Sequence, residues 1–323
     1  MLVEREKINV RRALGISTGD PAFAQTLDLQ RVGIHFMPLT ELLIGGILLG
    51  GVYALMACGL NLIFGVMRVI NFAHGDILAV AALSTVSIVV GFKLPFWLAV
   101  VLVPIGCALL GILIHMLILR RIESAPMIMS LLATYALSTI LVNVAILIWG
   151  GGYSGLPGVL GGSIRLLGAN VSISRLVSFV CAIGVSLAVW WLLQFTRFGR
   201  AVRSASQAPE LASISGIAVE RVRLATFALG SGMAGLAGVL VAPAFAIDPQ
   251  LGSRFIIKAF AVIIVGGMGS YPGAILAALL LGVVEVVGSY FAGAVIGSAF
   301  LFLLMLGVLL VRPRGLLGAG VRI

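Results

Sequence analysis

The chain has 323 residues, of which 61% are hydrophobic and only 10% charged, and its formal net charge is +10. Soluble domains carry about 25% charged residues, so this chain could not cover a core with polar surface, and a soluble fold is excluded in favour of a polytopic membrane protein. The excess of 21 Lys+Arg over 11 Asp+Glu sits between apolar runs, which reads as a positive-inside bias and not as a nucleic-acid footprint.

Residues 1–37 contain Arg5, Lys7, Arg11, Arg12 and Arg31 but no unbroken apolar core of the signal-peptide kind. They read as a retained, flexible basic extension ahead of a membrane domain over 38–323. A bilayer-crossing helix needs about 20 mostly apolar residues. Such runs fall at 39–57, 76–91, 97–119, 128–149, 174–195, 224–246, 255–269, 272–291 and 293–311. The expected fold is all-α, a polytopic transmembrane bundle of eight or nine spans. Gly46 with Gly50 and Gly293 with Gly297 form GxxxG pairs. Gly230, Ala234 and Gly238 form a small-residue stripe with Ser231 and Gly235 beside it, and all of these read as close helix packing. Cys58, Cys107 and Cys181 lie in apolar runs without metal or CxxC spacing and read as buried small hydrophobes.

Between the first two runs lies Gly59-Leu60-Asn61-Leu62-Ile63-Phe64-Gly65-Val66-Met67-Arg68-Val69-Ile70-Asn71-Phe72-Ala73-His74-Gly75-Asp76. Polar and ionisable groups at membrane depth are costly and face a cavity, a partner or a pathway. Asn71 and His74 are three apart with Asp76 two further on, so a turn or helix start gathers them. For Asn71 and His74, capping and interhelical hydrogen bonds compete with lining a path; Asp76 ahead of an apolar run reads as an N-cap, and Arg68 as an interfacial anchor. Glu285 is isolated in its span, either polar glue toward a partner or part of a path. Lys258 lies near a span end where it can snorkel, and His115, close to Arg120, reads as interfacial.

Arg120 and Arg121, the arginines of the 196–223 loop (Arg197, Arg200, Arg203, Arg221, Arg223) and the terminal Arg312, Arg314 and Arg322 are separated by even numbers of spans. All three regions can therefore be cytoplasmic together. Trp97 and Trp149 then fall at the outer interface and Trp190 and Trp191 near the inner one. The Gly-, Ser- and Pro-rich stretch from Gly150 to Ser174 lies outside. A cytoplasmic N-terminus requires residues 58–75 to make an extra short crossing; an irregular segment there is physically admissible where it is buried in protein.

The loop Thr196-Arg197-Phe198-Gly199-Arg200-Ala201-Val202-Arg203-Ser204-Ala205-Ser206-Gln207-Ala208-Pro209-Glu210-Leu211-Ala212-Ser213-Ile214-Ser215-Gly216-Ile217 is long for a membrane bundle. Val202, Leu211, Ile214 and Ile217 are expected to form one face of short helices, with Gly216 as a turn. Such a face needs a partner or the lipid surface. Enzyme chemistry finds no support. Lys7, Lys93 and Lys258 follow Glu, Phe and Ile, so no phosphate loop exists. HExxH is also absent, and no catalytic or metal residue is expected.

The Gly59–Asp76 segment resembles the signature of permease subunits of bacterial branched-chain amino acid ABC importers. The 196–217 loop resembles their cytoplasmic coupling loop, and Gly266-Gly267-Met268-Gly269-Ser270-Tyr271-Pro272-Gly273-Ala274 a third block of that family. The resemblance runs from about residue 38 to the end, and Phe64-Gly65-Val66 with Asn71-Phe72-Ala73-His74-Gly75 is similar to the H-type of the two non-identical permeases. Ser206-Gln207-Ala208 followed by Pro209 departs from the usual coupling-loop step. The resemblance implies a second homologous permease, two ATPase subunits that use ATP and Mg, a periplasmic binding protein, and residence in the bacterial inner membrane with no cofactor on this chain. It implies a substrate pathway with Asn61, Asn71, His74, Asp76 and Glu285 as candidates. For the ATPase coupling loop, the candidates are Arg200, Arg203, Gln207, Glu210, Leu211, Ile214, Gly216 and Ile217. An amide or urea permease of the same family fits these motifs equally. A secondary transporter or channel would need its own coupling site and no such loop, and an intramembrane enzyme lacks any nucleophile–base spacing.

Overall fold

An apolar run of spanning length can enter a bilayer only with its backbone groups bonded within the segment, which a helix achieves. The computed structural model describes residues 39–122, 126–156, 159, 161–166 and 168–318, so the expected basic extension lies outside it. The helices are α1 (Leu39–Met67), α2 (Ala73–Val86, continued by a wider π turn to Gly91), α3 (Phe96–Ile122, with a π turn at His115–Leu119), α4 (Met127–Trp149) and α5 (Ile173–Phe195). There follow α6 (Arg197–Gln207), α7 (Pro209–Ile214), α8 (Val219–Val241), α9 (Leu251–Gly266), α10 (Tyr271–Ala292) and α11 (Ala294–Val311). Among the described residues, eight helices are long and apolar enough to span, all but α6, α7 and α9. The chain is an all-α polytopic bundle. A short antiparallel hairpin, β1 (Ser163–Leu166) with β2 (Ala169–Ser172), pairs Ser163 with Ser172 inside the connection from α4 to α5. Nothing in the sequence pattern announced that hairpin.

The centre of the bundle is α1 and α8: 83% and 72% of their apolar windows are buried, against 17% for α4 and 11% for α11. Small residues make this possible. Gly46 and Gly50 rest directly on the backbone of α10 at Val283 and Leu279, and Gly282 rests on Gly46 and Gly50 in return. On α8, Gly230 meets Gly59 and Ile63 of α1, and Gly238 meets Leu78 and Ala81 of α2. The neighbouring Ser231 and Gly235 face Gly111 and Cys107 of α3. The stripe therefore works as expected. The Gly293–Gly297 pair does not: Gly293, with φ +88°, is the turn between α10 and α11, and Gly297 alone packs, on Ser289.

Leu48 of α1 clusters with Ala169 and Val171 of β2, so α1 opens on the hairpin side. Its other half reaches the opposite face, where the Asn61 side chain accepts a hydrogen bond of 2.8 Å from the Gly269 N–H. The segment after α11 packs on the end of α9 just before Gly269, Leu316 N–H donating to the Val265 carbonyl at 2.8 Å. Leu39 therefore begins on the face opposite Arg312 and Arg314. The extra crossing considered for residues 58–75 is not present. Cys58–Met67 completes α1, which is longer than the expected 39–57, and Arg68, at φ +52°, ends it.

Candidate functional site

The break after α1 is where sequence and structure meet most closely. A ring nitrogen of His74, Nε2, lies 3.2 Å from the Met56 carbonyl oxygen. Met56 is 11 residues before Met67, or about 16 Å along the helix axis at 1.5 Å per residue. Residues 68–72 thus leave the end of α1 and run back beside it, and α2 starts deep in the bundle. Non-helical backbone at such depth must be bonded by neighbours. Thr134 of α4 supplies this: its hydroxyl donates to the Ile70 carbonyl at 2.8 Å and accepts from the Phe72 N–H at 3.3 Å. The Leu131 carbonyl, at 3.1 Å, competes for the same proton. Thr134 carries no motif, and only the unsatisfied backbone of the break could have pointed to it. Thr134→Val keeps the shape and removes both bonds. Orphaned buried groups cost about 1–3 kcal/mol each, so the thermal midpoint in detergent is expected to fall by several degrees and Thr134→Ser to restore it. A Val variant as stable as wild type would show that the break is held by other contacts.

Four of the five candidate pathway residues surround this break. Asn61, Asn71 and His74 are fully buried and Asp76 nearly so. Within the described residues Asn61 Nδ2, both polar atoms of the Asn71 side chain, His74 Nδ1 and Asp76 Oδ1 have no protein partner. Asp76 is not the expected N-cap. The cap position is Phe72, Asp76 is the fourth residue of α2, and its carboxylate lies beside Ser138 of α4. The helix starts earlier than the apolar run because Gly75 fits the close contact with α9, where it meets the backbone of Gly252. Arg68 is exposed at the end of α1. His115 lies at the charged end of the bundle, close to Glu220, Arg223 and Arg120, but does not face outward. It is fully buried against Phe227 of α8, at 6.1 Å between ring centroids.

Glu285, the fifth candidate, lies apart from these and is not isolated. Lys258 Nζ donates to Oε1 at 2.5 Å, and the Tyr53 hydroxyl donates to Oε2 at 2.9 Å. Lys258 also reaches the Tyr53 oxygen at 3.0 Å and sits 5.4 Å from the centroid of that ring. Lys258 therefore does not snorkel. α9 runs from Leu251 to Gly266, which puts it mid-helix with the acid of α10 in reach, and charges at membrane depth pair where they can. The signal was present in the sequence as one acid and one base in consecutive apolar runs. A second pair was missed as well: Asp248 binds Arg254 and also accepts the Gln250 N–H at 2.8 Å, fixing the start of α9. The connection from α8 to α9 is further tied to the hairpin side by an antiparallel bridge between Ile247 and Ser154.

On the arginine-rich face, the 196–217 loop is a rigid pair of short helices. Thr196 caps α6, accepting from the Gly199 N–H at 3.2 Å. Arg203 folds back and donates to the Leu193 carbonyl at 2.5 Å, satisfying the end of α5. Pro209 begins α7, and Gly216, at φ +84°, closes it: Ile217 N–H donates to the Ala212 carbonyl at 3.0 Å and Gly216 N–H to Ser213 at 3.0 Å. That is the Schellman arrangement glycine favours. The expected single apolar face is corrected. Val202 is buried and Ile217 half-buried, both packed on the core, whereas Leu211 and Ile214 are 65% and 83% exposed. The two halves turn opposite ways because α6 is anchored to α5 and α7 projects from it. Arg200, Gln207 and Glu210 are exposed; Arg203 and Gly216 serve the shape of the loop.

Residues 42–309 match the family described as branched-chain amino acid transport system / permease component. The chain belongs to this family. It is 30% identical to the high-affinity branched-chain amino acid transport system permease protein LivH of Salmonella typhimurium, over 88% of this chain and 97% of that one. It is 28% identical to the corresponding permease BraD of Pseudomonas aeruginosa, over 85% and 94%. The solved structure of PsaBC from Streptococcus pneumoniae in complex with Fab covers 90% of this chain and 94% of that one at 19% identity and a TM-score of 0.42, too slight a likeness to carry an argument. The chain is thus a multi-pass transport permease subunit and not itself an enzyme.

Proposed function

We propose that this chain is one of two homologous permease subunits of an ATP-driven importer in the bacterial inner membrane. It passes branched-chain amino acids delivered by a periplasmic binding protein. The observation that carries the coupling role is the α6–α7 pair, bonded rigidly to α5 through Arg203 while Leu211 and Ile214 of α7 point outward. Apolar side chains held out on a fixed helix are suited to a groove on another protein. Two ATPase subunits take that role and bind the ATP and Mg of the cycle. The sparsely buried α4 and α11 offer apolar faces to lipid and to the second permease. Asn61, Asn71, His74 and Asp76 supply polar groups beside the break, where a displacement of α7 transmitted through α5 would alter the packing of the spans. Co-expression with the ATPase subunits tests the reading. Leu211→Asp with Ile214→Asp is expected to lower ATPase recovery on the purified permease at least tenfold without changing permease yield. Undiminished recovery, or uptake of amino acid by this chain without ATP, would overturn the reading.

A further inference from the structure

A cavity of about 290 Å³ opens between α1, α5, α8 and α10, toward the hairpin side of the bundle. It falls at the bottom of the size range of small-molecule sites, about 300–1,000 Å³, so only a small solute fits. Its wall divides into three chemistries. Arg175, exposed in the first turn of α5, places a guanidinium at the rim. Glu285, 8% exposed, contributes a carboxylate. Val52, Leu240 and Phe245 supply an apolar surface.

The carboxylate of Glu285 has not exhausted its acceptors. Lys258 takes one oxygen and Tyr53 the other. A carboxylate offers about four lone-pair directions, so one on each oxygen stays open to a further donor. The Lys258–Tyr53 clamp also fixes the rotamer of Glu285, which is what a recognition group requires. Arg175 has five N–H donors in a planar fork, the geometry that suits a ligand carboxylate.

Resting on the importer reading, we infer that this cavity is a holding site for a zwitterionic aliphatic α-amino acid on its way through the permease. The ligand carboxylate binds Arg175, the ammonium binds the open positions of Glu285, and the aliphatic side chain lies against Val52, Leu240 and Phe245. An uncharged amide would leave Arg175 without a counter-charge, and a simple carboxylic acid would leave Glu285 unused. The site therefore discriminates among solutes after delivery by the binding protein.

Gly45 gives a clean way to fill the cavity. A Cβ there meets only the Val286 Cγ1, at an ordinary 3.8 Å, so a larger side chain enters the cavity and not the helix seam. The complete importer, with both permeases, the ATPases and the binding protein, is reconstituted in proteoliposomes. ATP-driven uptake of labelled L-leucine is measured beside ATP hydrolysis, and a diazirine analogue of leucine is used to photolabel the permease. Gly45→Phe and Arg175→Gln are each expected to lower uptake at least tenfold with intact assembly and undiminished ATP hydrolysis, and labelling of α1 and α10 peptides is expected to vanish with Gly45→Phe. Arg175→Gln, at the exposed rim, keeps the test decisive if Gly45→Phe reduces folding. Wild-type uptake with both variants within twofold of it overturns the cavity assignment and leaves the importer reading intact. A block by Gly45→Phe alone, with Arg175→Gln unaffected, overturns zwitterion recognition in favour of an uncharged amide. A wild type with no ATP-driven amino acid uptake removes the importer reading and the inference with it.

Discussion

Gly50→Ile is expected to remove nearly all folded protein, leaving less than a tenth of the wild-type monodisperse peak in fluorescence-detected size exclusion. At this position a Cβ would lie 2.7 Å from the Leu279 Cα and 2.8 Å from the Ala278 carbonyl oxygen. Both are backbone atoms of α10, so no rotamer change can relieve the contact and the helices must separate. Overpacking a core costs about 1–3 kcal/mol where side chains can yield. Here they cannot, and the seam lies on the most buried helix of the bundle. Close approach of this kind also supplies the packing that holds membrane helices together, because lipid offers them no hydrophobic drive to associate. Gly45→Ala, five residues earlier on the same helix, should behave as wild type, since its new methyl meets open space and a single ordinary contact. A Gly50→Ile protein that elutes and melts like wild type would mean that α1 and α10 do not pack as described.

Lys258→Met is the second large effect. It leaves the Glu285 carboxylate at membrane depth with only the Tyr53 hydroxyl for company. Breaking a buried ion pair by removing one partner costs about 3–5 kcal/mol, whereas replacing both partners by apolar groups is often neutral. The side chains are 19% and 10% exposed, which places them on the buried side of that distinction. The single variant should therefore melt far below wild type, and Lys258→Met combined with Glu285→Met should recover most of the loss. Transport by the double variant should stay impaired, because the carboxylate is gone. Additive losses in the double variant would show that the pair is not an interacting unit.

The spans were legible because bilayer thickness sets their length and because their residues are so uniformly apolar. Most of their ends were too, as at 128–149 and 174–195, but not all. The first span reaches ten residues beyond the expected boundary at residue 57, because Gly59, Asn61 and Gly65 lower the local hydropathy without breaking a helix. The polar residues of the 59–76 segment were visible as unusual for a membrane, yet their geometry depends on Thr134, 62 residues past Phe72, and no local pattern carries that distance. Glu285 and Lys258 were both visible as charges but not as a pair, since separate spans give no register between helices. In the 196–217 loop the turn at Gly216 followed from residue type. The opposed burial of Val202 and Leu211 did not, because it depends on how α6 is bolted to α5.

The glycine seam has a mechanical corollary. Where two helices touch backbone to backbone at Gly46, Gly50 and Gly282, neither can tilt toward the other without a clash, and the Tyr53–Glu285 hydrogen bond ties α1 to α10 as well, so the pair moves as one beam. Among the described residues, unwound chain interrupts the helices at 68–72 and 242–250, as it also does at 92–95 and 267–270. The first two of these stretches lead into the meeting point of Gly75 and Gly252, so two of the breaks in the bundle lie next to each other.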